Sequence, residues 1–246
     1  MQAMILAAGL GTRLRPLTDE RPKALVEVEG KPLLEHLILK LRSNGFDRII
    51  VNVHHFGEQI VDFLQANQNF GADIRISDER KLLLNTGGGI SHALQYARQD
   101  EPLLIHNVDI ACDINLADLY SDARDQQGKA DAILVVNEQP TKRYLLFNHS
   151  GQLRGWQNVT DNGCTGVNKG EEPIEQLQRR HFTGIHVIMP TLFDSLSKYA
   201  DGPFSIIDYY LSVCTSANLQ AWTLPAAMRW VDCGRIEFLK QAAEIL

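Results

Sequence analysis

Residues 3–16 read AMILAAGLGTRLRP, and this stretch decides the fold class. It opens with a short apolar run over Ala3–Ala7, which is typical of a buried β-strand. Glycines follow at positions 9 and 11, so the strand leads into a tight loop with exposed backbone N–H groups. Four residues are small enough for backbone contact with a phosphate-bearing ligand: Ala7, Ala8, Gly9 and Gly11.

Two cations follow the small residues of this loop. Arg13 supplies a forked donor suited to a triphosphate, and Lys23 offers a second point charge. The loop is not a P-loop, and it lacks the dinucleotide-binding fingerprint because Leu14 stands at the third glycine position. A glycine turn with solvated charges is the alternative interpretation.

Helix-like and strand-like segments alternate outward from this loop. Apolar residues at helical spacing over Pro32–Ser43 precede a β-branched run over Arg48–Val53, and the alternation continues to Val136. This order predicts an α/β, doubly wound fold: a mainly parallel central sheet with helices on both faces, in a single domain spanning residues 1–246. The pattern loosens after Asn137, so we expect residues 138–180 to form a hairpin and a flap, with Val159–Gln178 as a long surface loop.

Composition excludes several function classes. The chain has 246 residues and a formal net charge of -6, which argues against a nucleic-acid partner. No apolar stretch reaches the roughly 20 residues of a membrane helix, and the N-terminus lacks the features of a signal peptide, so we expect no membrane partner and a cytoplasmic location. The four cysteines form no CxxC pair and indicate reduced thiols.

A glycine triplet occurs in Asn85-Thr86-Gly87-Gly88-Gly89, ahead of a helix predicted over Ile90–Ala97. Three glycines before a helix would form a backbone surface for a planar base, with N–H groups free to contact its edge. Helix N-termini also favour anions. A flexible, glycine-rich cap is the alternative.

Two aspartates follow short apolar strands that lie far apart in the chain. Asp109 ends the strand predicted over Leu103–Val108, and Asp232 ends the run Met228–Asp232. Ligands of open α/β sheets bind outside the carboxyl ends of strands, and carboxylates there are suited to Mg²⁺. Helix capping or a turn is the alternative for each residue.

The string LAAGLGTRLRPLT, followed by RPKAL, closely resembles the signature of the sugar-1-phosphate nucleotidylyltransferases. This resemblance implies a Rossmann-like nucleotidyltransferase fold. It also implies Mg²⁺-dependent transfer of a nucleoside monophosphate from a nucleoside triphosphate to a sugar 1-phosphate, with release of pyrophosphate. UTP is the favoured triphosphate, and we expect a monomer or a homodimer.

The resemblance also implies roles for individual residues. The catalytic set is Arg13, Lys23 and Asp109, and the metal ligands are Asp109 and Asp232. The nucleotide-binding set is Ala7, Ala8, Gly9, Gly11, Thr12, Asn85 and Gly88. The sugar-binding set is Asn107, Thr183 and Gly184.

The chain departs from the family pattern at several positions. Val108 stands where the family has a glycine before the metal-binding aspartate. Trp156-Gln157-Asn158-Val159 replaces a Glu-Lys pair on the sugar side. Three cations could replace the missing lysine: Arg154, Lys169 and Arg179.

Two other functions remain open at this point. One is a phosphocholine-type cytidylyltransferase, and the other is a non-catalytic ligand-sensing subunit of the same fold. A sensing subunit should have lost a charged catalytic residue, whereas Arg13, Lys23, Asp109 and Asp232 are all present. We expect no room after the last strand for a hexapeptide-repeat acyltransferase domain.

Overall fold

A computed structural model describes residues 1–160, 163–170 and 172–246, with the backbone alone for residues 163–165. The strands are β1 (Gln2–Leu6), β2 (Glu27–Val28), β3 (Lys31–Pro32), β4 (Arg48–Val53), β5 (Asp73–Asp78), β6 (Leu103–Asn107), β7 (Ile110–Cys112), β8 (Ala132–Asn137), β9 (Arg143–Phe147), β10 (Leu153–Thr160), β11 (Gly163–Asn168), β12 (Gln178–Ile188), β13 (Leu219–Thr223) and β14 (Trp230–Asp232). The helices are α1 (Leu33–Ser43), α2 (Gly57–Ala66), α3 (Asn85–Ala93), α4 (Leu116–Asp125), α5 (Phe193–Ser197), α6 (Ile206–Val213) and α7 (Leu239–Ala243).

The first half of the chain builds a parallel sheet in the order β5-β4-β1-β6. Strand β1 lies between β4 and β6, and Gln2 pairs with both Arg48 and Leu103. All four strands therefore end at the same edge of the sheet, and the loop after β1 emerges at that edge.

Both faces of this sheet are covered by helices. Along β1, Ala3 and Ile5 pack into one apolar cluster with α1, α2 and α4, whereas Met4 packs into a second cluster with α3, α5 and α6. Alternation of period two sends successive side chains to opposite faces. The predicted doubly wound α/β fold is confirmed.

The second half of the chain adds antiparallel strands. Strand β12 runs antiparallel to β6, β8 and β9, and β9, β10 and β11 extend the sheet as an antiparallel meander. The predicted loop over Val159–Gln178 is therefore wrong for β11, which pairs with β10. An antiparallel sheet can leave one face in water, and Gly166 and Val167 of the edge strand β11 are exposed, so a polar sequence can form this strand. Positions 161, 162 and 171 of the predicted loop lie outside the described residues.

The helix predicted over Ile90–Ala97 begins earlier, at Asn85, and contains all three glycines. Glycine weakens a helix interior by about 1 kcal/mol relative to alanine, so a compensating reason is needed. A Cβ on Gly87 would collide with the ring of Phe204, and one on Gly89 would lie 2.6 Å from Glu79 Oε1. Close packing therefore requires the glycines that local propensity disfavours.

A two-stranded ribbon of β7 and β14 lies beside the main sheet. Among the described residues, no helix has the length and apolar character needed to cross a bilayer. Cys112, Cys214 and Cys233 are buried free thiols.

Candidate active site

A cleft of about 540 Å³ opens where the parallel strands end. Leu6, Asn52 and Asn107 line it from the carboxyl ends of β1, β4 and β6. The other lining residues are Ala8, Gly9, Arg13, Lys23, Leu83, Asn85, Thr86, Asp109, Ile110, Pro203 and Asp232. This is the edge at which α/β sheets bind their ligands.

The ribbon of β7 and β14 brings the two predicted metal ligands together. Asp232 pairs in register with Ile110, and the Cys233 N–H donates to the Asp109 carbonyl at 2.7 Å. A Cβ on Gly234 would lie 2.7 Å from Asp232 Oδ1 and 2.9 Å from Asp109 Oδ2. Both carboxylates thus converge beside a glycine that leaves room for them.

The two predicted cations of the N-terminal loop face these carboxylates. Lys23 Nζ lies 2.6 Å from Asp109 Oδ2, and Arg13 Nη1 lies 3.6 Å from Asp232 Oδ2. Burial alone would raise the pKa of Asp109, but the charge and the hydrogen bond of Lys23 outweigh burial and lower it. Asp109 is therefore ionised at neutral pH.

The donor set fits a magnesium ion that is shared with a substrate. Among the described residues, no group of three or more His, Cys, Asp or Glu side chains could by itself hold a metal. Two converging carboxylates in an open cleft match the way Mg²⁺ binds, because it takes one or two protein carboxylates and completes its shell with phosphates and water. Asp109 and Asp232 are the residues that would hold it.

Asn52 organises the glycine loop and is not among the site residues predicted from the sequence. Its Oδ1 accepts hydrogen bonds from the N–H groups of Ala7 at 2.7 Å and Ala8 at 3.3 Å. Ala7 is buried and its N–H is already bonded, so that N–H is not free for a nucleotide, and contact through the rest of the Ala7 backbone stays a prediction. The available signal was one polar residue in the apolar run of β4, close to the end of that strand.

Glu79 in turn holds Asn52. Glu79 Oε1 accepts a hydrogen bond from Asn52 Nδ2 at 2.7 Å, and Glu79 Oε2 accepts one from the Leu84 N–H at 3.1 Å. Burial raises the pKa of Glu79, and the hydrogen bond from Asn52 offsets part of that rise. The loop after β1 is thus tied through β4 to the residue that precedes α3.

The start of α3 forms another wall of the cleft. Asn85 lines it with a φ of 62°, a left-handed conformation that Asn tolerates better than most residues. Gly88 does not line this cleft. It is buried, and its N–H donates to the Phe204 carbonyl at 3.2 Å. The prediction that this N–H is free to contact a base is therefore wrong.

Gly11 and Thr12 lie in the same loop as Arg13 but do not line the cleft. Gly11 has a φ of 66° and packs against Thr18 and Lys23, and Thr12 opens the short 3₁₀ turn that carries Arg13. Their contact with a nucleotide stays a prediction, as do the contacts of Ala8 and Gly9, which do line the cleft.

A second cavity of about 620 Å³ adjoins this cleft and shares Arg13 and Asp232 with it. Its other lining residues are Thr141, Arg143, Leu145, Trp156, Val167, His181, Phe182, Ser205, Ile207, Asp208 and Leu211. None of the three cations predicted to replace the missing lysine lines either cavity. Arg143, which is not among the predicted site residues, lines the second cavity.

The predicted sugar residues separate into different roles. Asn107 lines the first cleft. Thr183 is buried and its hydroxyl donates to the Val135 carbonyl at 2.8 Å, so the prediction that it bonds a sugar hydroxyl is wrong. Gly184 has a φ of 81° and lines neither cavity, and a Cβ there would lie 2.6 Å from Asn107 Nδ2. Gly184 therefore makes room for Asn107, and its contact with a sugar stays a prediction.

A strand-end cleft that joins two carboxylates to two cations, beside a second cavity, suits a reaction between two phosphate-bearing substrates. Comparisons with known proteins agree. The family model for nucleotidyl transferases matches residues 2–246. The chain therefore belongs to the nucleotidyl transferase family, and its class is that of the sugar-1-phosphate nucleotidylyltransferases.

Two curated relatives are N-acetylmuramate α-1-phosphate uridylyltransferases. The chain is 49% identical over 210 residues to the one from Caulobacter vibrioides, covering 83% of this chain and 81% of the relative. It is 39% identical over 140 residues to the one from Neisseria meningitidis, covering 57% and 60%. A solved UDP-glucose pyrophosphorylase in complex with UDP-glucose matches with a TM-score of 0.73, 18% identity and coverage of 99% and 97%, so it shares the fold.

Proposed function

We propose that this protein transfers the uridylyl group of UTP to N-acetylmuramate α-1-phosphate, giving the UDP-sugar and pyrophosphate. One observation carries the proposal: two adjoining cavities share Arg13 and Asp232. A wall shared by both cavities allows a triphosphate and a sugar 1-phosphate to meet at the same charged groups. The name of the relative from Caulobacter vibrioides supports the choice of base and sugar.

The reaction is a single in-line displacement. A non-bridging oxygen of the sugar phosphate forms a bond to the α-phosphorus of UTP, and the bond to the oxygen bridging the α- and β-phosphates breaks. Pyrophosphate leaves with that oxygen. The attacking phosphate is already ionised at neutral pH, so no side-chain base is required.

The loop cations act on the phosphates. Arg13 and Lys23 line the first cleft, where they would offset the negative charge that grows as pyrophosphate leaves. Holding two anionic substrates in line can contribute roughly 7–11 kcal/mol to catalysis, since the entropy of bringing them together is lost on binding. Repulsion between the substrates makes these cations necessary.

The proposed cofactor is Mg²⁺, held by Asp109 and Asp232. When bound, the ion would supply positive charge that offsets the charge of the substrate phosphates. Lys23 pairs with one oxygen of this carboxylate, Asp109 Oδ2, so the lysine and the ion would both neutralise Asp109.

The base-side wall suits a flat heterocycle. Leu6, Leu83 and Pro203 supply apolar surface, and Asn85 supplies an amide. The backbones of Ala8 and Gly9 line the same cleft. We assign the uracil to this wall. We also propose that the protein works in the cytoplasm as a monomer or a homodimer. It would form a single domain, in which residues 138–180 extend the sugar side.

The test is a matrix of five nucleoside triphosphates against several sugar 1-phosphates and phosphocholine, with Mg²⁺, followed by pyrophosphate release. We expect the highest kcat/KM for UTP with N-acetylmuramate α-1-phosphate. Turnover that needs CTP and phosphocholine would instead establish the cytidylyltransferase alternative. A different preferred sugar or base would overturn the specific assignment while leaving the class intact.

A further inference from the structure

The second cavity has one wall that the first cleft shares and another that belongs to it alone. Arg13 and Asp232 form the shared wall. Thr141 and Arg143 lie at the start of β9 and line the second cavity only. Under the proposed function, the reacting phosphates occupy the shared wall, so Arg143 faces a different part of the sugar substrate.

The Arg143 guanidinium is free to bind a ligand. Within the part of the chain that the structure describes, its backbone N–H donates to Thr141 Oγ1 at 3.3 Å and its side chain makes no ion pair. Asp208 of α6 also lines the cavity but does not pair with Arg143, so the positive charge is not neutralised. An exposed, unpaired guanidinium at the edge of a cavity is suited to a bidentate contact with an anion.

Two neighbouring arginines are already committed to other contacts. Arg180 pairs with Glu138 at 3.4 Å and also donates to Gln178. Arg154 donates to the Cys214 carbonyl at 3.0 Å. Of the cations in this region, Arg143 is the one that lines the second cavity away from the shared wall.

The backbone of β9 fixes where Arg143 begins. Arg143 pairs in register with Asn158 of β10, and Leu145 pairs with Trp156. Leu145 and Trp156 also line the cavity, so the charged side chain lies close to apolar surface. This contrast suits a sugar with an apolar face and one anionic substituent.

We propose that Arg143 is a specificity-determining residue that binds a carboxylate carried by the sugar. The lactyl ether that distinguishes N-acetylmuramate from N-acetylglucosamine bears such a group. The inference rests on the proposed function, because it assumes that a sugar 1-phosphate occupies the second cavity.

Two substrates that differ only in the lactyl ether test this inference. N-acetylmuramate α-1-phosphate and N-acetylglucosamine α-1-phosphate are compared with UTP, and the ratio of their kcat/KM values is measured. We expect Arg143→Gln to lower the ratio of the acidic to the neutral substrate roughly 10- to 100-fold, with Arg143→Lys between it and the wild type. The control Arg124→Gln changes an exposed arginine of α4 that lines neither cavity, and should keep the wild-type ratio.

Three results would overturn the inference. An equal fall for both substrates would assign Arg143 to the common phosphate or to the structure of β9. Wild-type kcat/KM values for both substrates would remove it from recognition. A wild-type enzyme that uses the neutral sugar but not the acidic one would overturn the proposed sugar itself, and the wild type alone decides that outcome. Thermal unfolding of both Arg143 variants checks that they fold.

Discussion

Lys23 Nζ lies 2.6 Å from Asp109 Oδ2, with 14% of the lysine side chain and 7% of the aspartate side chain exposed. The ion pair joins the N-terminal loop to the link between β6 and β7. It keeps Asp109 ionised in a buried position, and it holds Lys23 at the place where we propose that phosphates bind. The same contact therefore serves both stability and the readiness of the site.

Replacing Lys23 with Met should destabilise the protein and make its thermal stability more dependent on Mg²⁺. Loss of one partner leaves a buried carboxylate unpaired, which costs about 3–5 kcal/mol of the free energy of unfolding. Mg²⁺ should raise the thermal midpoint of this variant more than that of the wild type, because the ion replaces the lost charge. The control is Lys198→Met, which breaks an exposed pair with Asp194. An equal rise of the thermal midpoint with Mg²⁺ in the wild type and in Lys23→Met would contradict the proposal that the ion and Lys23 neutralise the same carboxylate.

Asp232→Asn should lower kcat by about 100-fold or more and raise the Mg²⁺ concentration needed for half-maximal activity. The asparagine oxygen can still accept from the Gly234 N–H, which now donates to Asp232 Oδ1 at 2.8 Å, so the fold should be kept. Pyrophosphate release during a magnesium titration measures both effects, and Asp194→Asn serves as the surface control. Wild-type rates with normal magnesium dependence would remove Asp232 from the metal site.

Asn52→Ala should weaken the nucleotide loop without touching its sequence. The change leaves the N–H groups of Ala7 and Ala8 without their acceptor, at a cost of about 1–3 kcal/mol in the free energy of unfolding. We expect KM for the triphosphate to rise roughly tenfold, since the loop is no longer held in one conformation. Urea unfolding and steady-state kinetics report the two effects. Asn67→Ala is the control, because Asn67 donates only to the nearby Phe63 carbonyl on the surface. An unchanged KM would show that the loop does not depend on Asn52.

Gly184→Ala separates backbone strain from displacement of Asn107. Gly184 and Gly128 have φ angles of 81° and 85°, but a Cβ on Gly128 would meet nothing within 4 Å. Both alanine variants should lose about 1–2 kcal/mol of stability through the left-handed conformation. Gly184→Ala alone should also lose activity, because its Cβ would push Asn107 Nδ2 from the cleft. Equal activity in the two variants would contradict this role.

His186→Phe should make the protein more resistant to mild acid. Burial lowers the pKa of His186 to about 3, so the folded ring stays neutral while the unfolded chain binds a proton below its ordinary value of 6.5. Stability contributed by the neutral ring is thus lost as pH falls from 6.5 toward 3.

The wild type should lose about 2 kcal/mol at pH 5 relative to pH 7.5 from this residue, and the phenylalanine variant should not. Urea midpoints at the two pH values measure the difference. His149→Gln, at an exposed turn, is the control. Burial also lowers the pKa of His106, to about 4, so this residue adds a similar loss of stability between pH 7.5 and pH 5. That loss remains in the His186→Phe variant.

Much of this arrangement could be predicted from local sequence. The apolar run at Ala3–Ala7 and the strand ends at Asp109 and Asp232 carry their signal in a few adjacent residues, and the structure brings those carboxylates and the loop cations together. The role of Asn52 depends on a parallel pairing between distant strands, and local sequence does not show that pairing. Local sequence also does not show that the glycines of α3 lie inside the helix, because Phe204 and Glu79 lie against them only in the folded chain.

The common wall of Arg13 and Asp232 also limits how this enzyme could be engineered. Under the proposed function, a substitution on that wall would alter the binding of both reactants, so selecting variants there for a new donor would also change how the acceptor is held. Thr141 and Asp208 line the second cavity only. A mutant library intended to change which sugar 1-phosphates are accepted should therefore begin at those two positions.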